Sequence, residues 1–332
     1  MAAAAAVGGG GLSVMGASLY AVMVVEAILA RRSIGNAVGD PPDATGWYGA
    51  DRSGPAVEIA LLGDSSAAGY GVGTVLETPG AHLASGLAEA TDARVHLRSV
   101  AFVGAQTRDL TRQIDKVLPQ KPQVAVILVG VNDITHRRRV SESVRLLGAA
   151  VRRLREAGCE VVVGTCPDLG TIEPIAPPLR QFARTASRRL AAAQTMVVVE
   201  NGGRTVSLAS ILAPEFATAP SLFFGPDRFH PSAMGYAGMA SVLLPSVLAA
   251  LDVVPEEELV PEPHRGEAIL PIGPAAVEAV RTPGTEIDAT DVGGATRGTR
   301  GRWVQLRRRR RQPESEVQSP QPREQRPAPQ QA

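Results

Sequence analysis

The chain has 332 residues, enough for one sizeable domain with extensions or for two small domains. Hydrophobic residues make up 44% of it, so a large packed core is within reach, and a net charge of +1 excludes bulk attraction to nucleic acid. Aromatics are scarce at 4%, leaving Ala, Val and Leu to build the core, a composition suited to buried parallel strands and Ala-rich helices.

From Met1 to Val25 no side chain is charged, and Leu12–Ala30 reads LSVMGASLYAVMVVEAILA. As a helix this stretch spans ~28 Å, close to the ~30 Å hydrocarbon core of a bilayer. Residues 1–33 are therefore expected to form an apolar helix that anchors the protein in a membrane, the alternative being a helix packed on its own domain. There is no basic leader, and no small-x-small triplet stands out as a cleavage site at the end of the apolar stretch, which argues against a cleaved signal peptide. Orientation stays open: Arg31 and Arg32 favour a cytoplasmic C-terminal side, whereas the resemblance given below favours a cell-envelope, extracytoplasmic domain.

Residues 34–55 are rich in Gly, Pro and Asp and read as a linker. A regular domain is expected over 56–251. Apolar runs at 57–63, 95–101, 124–130, 161–165 and 196–200 predict five buried strands. Helix-period segments lie between them, at about 75–90, 107–118, 141–157 and 177–194, and a last helix covers about 234–250. Such alternation predicts an α/β three-layer sandwich with a mainly parallel five-stranded sheet.

Past Leu251 the pattern decays. Residues 252–332 are Pro- and Gly-rich and then basic, and are expected to be a disordered, low-complexity tail. Its cluster Arg307–Arg311 could touch an anionic lipid or wall polymer. The two cysteines, Cys159 and Cys166, flank a predicted strand. Their Cα atoms would be roughly 23 Å apart, too far for a disulfide. No CxxC or HExxH is present and the five His are scattered, so no metal site is expected.

Four short motifs fall at successive strand ends, where ligands bind in doubly wound sheets. Gly63-Asp64-Ser65-Ser66 puts a hydroxyl in a tight turn after the first strand. Gly104 follows the second strand and lets a backbone N–H approach a ligand. Asn132, in GVND after the third strand, offers an amide to a developing oxyanion. Asp227 and His230, in DRFHP, are three apart, so the carboxylate can hold one imidazole nitrogen and leave the other as a base. Asp64 and Asp133 read as loop-holding carboxylates, and His82 and His96 as structural or surface residues.

Taken together, these residues resemble the SGNH, or GDSL-type, hydrolases. Ser65, Gly104, Asn132 and His230 stand where that family has its four name-giving residues, over residues 57–250. The stretches VVVGTCPDLG and DRFHPSAMGYA resemble in particular the GDSL-like esterases of actinobacterial cell envelopes. The resemblance implies a flavodoxin-like sheet and hydrolysis of carboxylic esters of short to medium acyl chain, without metal or cofactor. It implies a catalytic triad of Ser65, His230 and Asp227, with Ser65, Gly104 and Asn132 as the oxyanion hole. A small-molecule or lipid ester would be the substrate. An O-acyltransferase acting on an envelope glycan or lipid would use the same residues, and a non-catalytic envelope-binding module is the remaining rival. Nucleotide binding fails, because GYGVGT breaks GxGxxG and no GxxxxGK[ST] occurs. A classical α/β-hydrolase would need GxSxG, which is absent.

Overall fold

The computed structural model describes residues 20–30, 32, 39–208, 220–253, 268–281, 284–287 and 303–308. Within them the chain runs α1 (Tyr20–Ala30), β1 (Gly46–Tyr48), β2 (Gly54–Gly63), α2 (Ser65–Ala68), α3 (Pro79–Thr91) and β3 (Ala93–Ser99). Next come α4 (Leu110–Val117), β4 (Val124–Leu128), α5 (Val131–Thr135), α6 (Val140–Glu156), β5 (Glu160–Gly164), α7 (Leu179–Glu200) and β6 (Arg204–Val206). The last elements are α8 (Pro220–Phe223), α9 (Ala233–Ala250), β7 (Ala268–Pro271), α10 (Ile272–Ala279), β8 (Thr285–Ile287) and β9 (Trp303–Arg308).

At the centre five parallel strands lie in the order β3-β2-β4-β5-β6. In chain order this is 2-1-3-4-5, the flavodoxin-like winding, whose crevice opens where neighbouring connections leave in opposite directions. Strand periodicity sorts the apolar side chains onto two faces. Ile59, Leu61, Val95, Leu97, Val124, Val126 and Val162 pack under α3 and α9. Ala60, Leu62, Ala125, Ile127, Val161 and Val163 pack under α4 and α6. The chain is thus the expected three-layer α/β sandwich. Apolar on nearly all sides, α9 is long enough to span a bilayer but is two-thirds buried in the domain, as a core helix should be.

The sheet is wider than the sequence predicts, at nine strands. β1 adds antiparallel to β3 at one edge. At the other edge β8, β9 and β7 extend β6, all antiparallel. The expected low-complexity tail thus contributes three strands and α10. These strands are three to six residues long, too short for alternation to be read against a Pro- and Gly-rich background. Residues 1–19, 209–219 and most of the tail, including Arg309–Arg311, lie outside the described residues.

One predicted strand is a helix. Residues 196–200, MVVVE, form the last turns of α7, and the fifth parallel strand is Arg204–Val206. The run of three valines suggests a strand, but Val198 and Val199 enter different apolar clusters, one beneath α6 and one against α10. Burial on both sides overrides propensity there.

The N-terminal helix α1 rests on the domain. Glu26, the carboxylate that interrupts the apolar run, accepts the Leu179 N–H at the start of α7 at 2.9 Å. Arg137 donates to the Tyr20 hydroxyl at 3.2 Å and lies over its ring. Ala30 is buried in the α3–α9 core. Val22, Val25, Ile28 and Leu29 remain exposed on the outer face.

Candidate active site

β2 ends at Gly63, whose position is fixed on both sides. A Cβ there would sit on the Leu128 carbonyl oxygen, so only glycine lets β2 and β4 close together. The Gln113 side chain on α4 accepts the Gly63 N–H and donates to the Gly63 carbonyl, each at 2.8 Å. This clamp aims the turn that follows. Asp64 caps α2, accepting the Ser66 N–H at 3.0 Å, and Ser65 becomes the first helical residue. Amides at that position have no acceptor within their own helix.

Closed by the isolated bridge Phe224–Pro231, the DRFHP turn is held by one carboxylate. Asp227 Oδ1 accepts the N–H groups of Phe229 and His230, both at 3.0 Å. Asp227 Oδ2 meets His230 Nδ1 at 2.6 Å, and His230 Nε2 lies 3.0 Å from Ser65 Oγ. Hydroxyl, imidazole and carboxylate, 165 and 3 residues apart in sequence, form one hydrogen-bonded line. Tyr70 and Phe229 both set ring edges against the imidazole, with centroids 4.8 and 5.0 Å away.

Burial by itself would raise the Asp227 pKa. The His230 ring and the two backbone N–H groups outweigh it and hold the carboxyl below the usual range. Asp64 goes the other way: burial, only partly offset by the Ser66 N–H and the nearby His230, pushes its pKa up to about 6.

Gly104 lies in the loop after β3 and Asn132 in the first turn of α5, just past β4. Gly104 has φ +83°, in the left-handed region where glycine is favoured, and a Cβ there would meet no atom of the described chain. Asn132 Nδ2 donates to the Ala105 carbonyl at 3.0 Å, which ties the two segments and leaves the second amide hydrogen to give. Asp133 fastens them further: Oδ2 accepts the Thr107 N–H and hydroxyl at 3.1 and 3.0 Å, and Oδ1 accepts the Ser143 hydroxyl at 2.7 Å. Arg138 Nε donates to the Gln106 side-chain oxygen at 2.9 Å, so this arginine braces the same loop.

Behind His230 lies a small cavity of about 50 Å³ with an apolar lining that includes Val129, Val131, Leu169, Ile172, Phe229 and Met239. Elsewhere His96 Nδ1 pairs with Glu58 at 2.7 Å, while His82 Nε2 is buried with no hydrogen-bond partner among the described residues. Both cysteines are free and buried, and burial pushes the Cys159 thiol up to about 12. Among the described residues no three His, Cys, Asp or Glu side chains gather in a way that could hold a metal ion.

Gln113 is the positioning residue that the motifs did not reveal. Its signal was available in LTRQIDKV, where Leu110, Ile114 and Val117 fix the buried face of α4 and Gln113 shares it. A polar residue on a core face needs a partner, and here the partner is the backbone of the serine turn.

Residues 61–237 match the profile of the GDSL-like Lipase/Acylhydrolase family. The chain is 42% identical over 252 residues to GDSL-like esterase Rv1075c of Mycobacterium tuberculosis, covering 72% of this chain and 79% of that one. Among solved structures it is similar to a mutant of Axe2, an acetyl-xylooligosaccharide esterase from a Geobacillus, at a TM-score of 0.46 and 17% identity, over 59% of this chain and 94% of that one. A psychrotrophic esterase, EstA from Pseudoalteromonas sp., aligns at a TM-score of 0.45 and 18% identity, over 59% and 96%.

Proposed function

The chain belongs to the GDSL-like lipase/acylhydrolase family of carboxylic ester hydrolases, and from that premise we propose that it cleaves short-chain esters through Ser65, His230 and Asp227. The single observation that carries this reading is the unbroken line from Ser65 Oγ through His230 to Asp227.

In this mechanism His230 Nε2 takes the Ser65 proton as Oγ attacks the ester carbonyl. Asp227 holds the imidazole in the tautomer whose Nε2 is free to accept, and stabilises its cation. The oxyanion is received by the N–H groups of Ser65 and Gly104 and by the Asn132 amide. His230 then returns its proton to the leaving alcohol, and water repeats the cycle to release the acid. The small volume and apolar lining behind His230 support a short acyl group.

For the N-terminal segment we read attachment to a lipid surface through the outer face of α1, where Val22, Val25, Ile28 and Leu29 are exposed. The partners of Glu26 and Tyr20 on the domain favour a helix lying against the protein over one that crosses the bilayer through residues 20–30.

A series of aryl esters from acetate to palmitate, with fluorophosphonate labelling of Ser65, tests the reading. We expect kcat/KM to peak at the short acyl chains and labelling to map to Ser65. Absence of hydrolysis across the series, or labelling elsewhere, defeats it.

A further inference from the structure

A second concavity, a groove of about 520 Å³, lies apart from the serine site. It is lined by Pro41–Asp43, by the end of β3 and the chain after it (Arg98–Phe102), by Arg112, Gln113 and Lys116 of α4, and by Ala68 of α2. Three cations meet one carboxylate there. Arg112 is held in place, donating to Asp109 at 3.0 Å with its guanidinium over the Phe102 ring. The carboxylate, Asp43, is engaged by the Thr45 N–H at 2.9 Å.

Arg98 and Lys116 have no acid partner among the described residues. Arg98 is the more telling of the two. It stands opposite Ala60 in the sheet, on the α4 side, at the margin of the apolar cluster. Its Nε is fully buried and has no hydrogen-bond acceptor among the described residues. A buried charged donor left unmade is costly, and the guanidinium it belongs to lines the groove.

We propose that this groove binds a phosphate-type oxyanion, with Arg98 and Lys116 as its principal contacts and Arg112 as a third positive charge. A guanidinium presents a planar fork that matches the oxygens of phosphate, and a lysine adds a point charge. The site backs onto the serine centre. Ala68 lies three residues past Ser65, and Phe102 two before Gly104. A bound oxyanion therefore sits behind the two segments that carry those residues. The proposal does not rest on the esterase reading, and it stands or falls on binding alone.

The test titrates the full chain with inorganic phosphate against sodium chloride at equal ionic strength. The readouts are the Arg98 Nε–H resonance and the thermal midpoint. We expect a saturable shift of that resonance and a rise in midpoint that chloride does not reproduce. Lys116→Gln replaces an exposed side chain and leaves the fold intact; it should weaken binding about fivefold to tenfold. Arg98→Lys keeps the charge but removes the fork, and should weaken it by a similar factor. The double variant should no longer saturate. Parallel arms with glycerol phosphate and with vesicles of phosphatidylglycerol separate the sources. Saturation by the soluble phosphates assigns a free phosphoester, whereas vesicle binding that requires Arg98 and Lys116 assigns a lipid headgroup. A wild-type chain that answers neither, or a double variant that binds as tightly as the wild type, overturns the proposal.

Discussion

Asp227 holds His230 twice, through the ring nitrogen Nδ1 at 2.6 Å and through the backbone N–H at 3.0 Å. One carboxylate thereby fixes both the fold of the turn and the orientation of the imidazole. The two oxygens do separate work, so substitutions at Asp227 should separate chemistry from structure. Asp227→Asn keeps an oxygen for the backbone but favours the wrong imidazole tautomer. It should lower kcat by about 10⁴ with little change in KM, and Ser65→Ala by about 10⁴–10⁶. Steady-state hydrolysis of an aryl acetate measures both. A Ser65→Ala chain retaining a tenth of the wild-type rate would remove Ser65 from the mechanism. The Asp227 carboxyl sits below its ordinary range, so its stabilising effect is present above the unfolded value of 3.8 and is lost as the pH falls through the folded value.

Asn132→Ala tests the proposed oxyanion role of this amide without touching Ser65, His230 or Asp227. Its amide already bonds the Ala105 carbonyl, so Asn132→Ala loses a donor and a loop tie together. A lost oxyanion donor costs about 10²–10³ in kcat. A loop merely loosened should instead raise KM. Measuring kcat and KM for one ester over a range of concentrations tells these apart, and an unchanged kcat would take Asn132 out of the oxyanion role.

Asp64 should make stability fall with rising pH. Its folded-state pKa is about 6, above the unfolded value of 3.8, because burial disfavours the charge. Between those values the native state holds a proton that the unfolded chain has released, so stability drops as the pH climbs from about 4 to 6. A shift of two units corresponds to roughly 3 kcal/mol. Asp64→Asn preserves the helix cap, since Asn caps as well as Asp, and removes the penalty. Urea unfolding of both chains at pH 4 and pH 7.5 checks this. The variant should gain on the wild type by up to about 3 kcal/mol at the higher pH, and a constant difference would refute the account.

Legibility from sequence followed the physics of each element. The meeting of Ser65, His230 and Asp227 could be anticipated because each sits in a short motif at a special turn or a strand end. The central strands could be read because burial on both faces makes them continuous apolar runs, as in VAVIL of β4. Residues 196–200 misled because three valines look alike in a strand and in a doubly buried helix end, and the true strand, Arg204–Val206, is too short to signal. Gln113 and the Arg98 groove depend on which helix faces which strand, and no local pattern carries that.

The N-terminal helix yields a last prediction. Its inner face is committed to the domain: Ala30 enters the core, Glu26 holds the first turn of α7, and Tyr20 lies under Arg137. The outer face is apolar and exposed. Removing residues 1–33 therefore takes away a docked element and an exposed apolar surface together, while Ser65, Asp227 and His230 keep every bond described between them. The shortened chain should hydrolyse a soluble aryl acetate at a rate close to the full chain. It should unfold at a lower temperature and fail to float with liposomes that carry the full chain upward. Glu26→Ala should lower the thermal midpoint alone, through the loss of one acceptor at a helix start, worth about 1 kcal/mol. Co-flotation of the shortened chain at the level of the intact one would locate lipid attachment elsewhere.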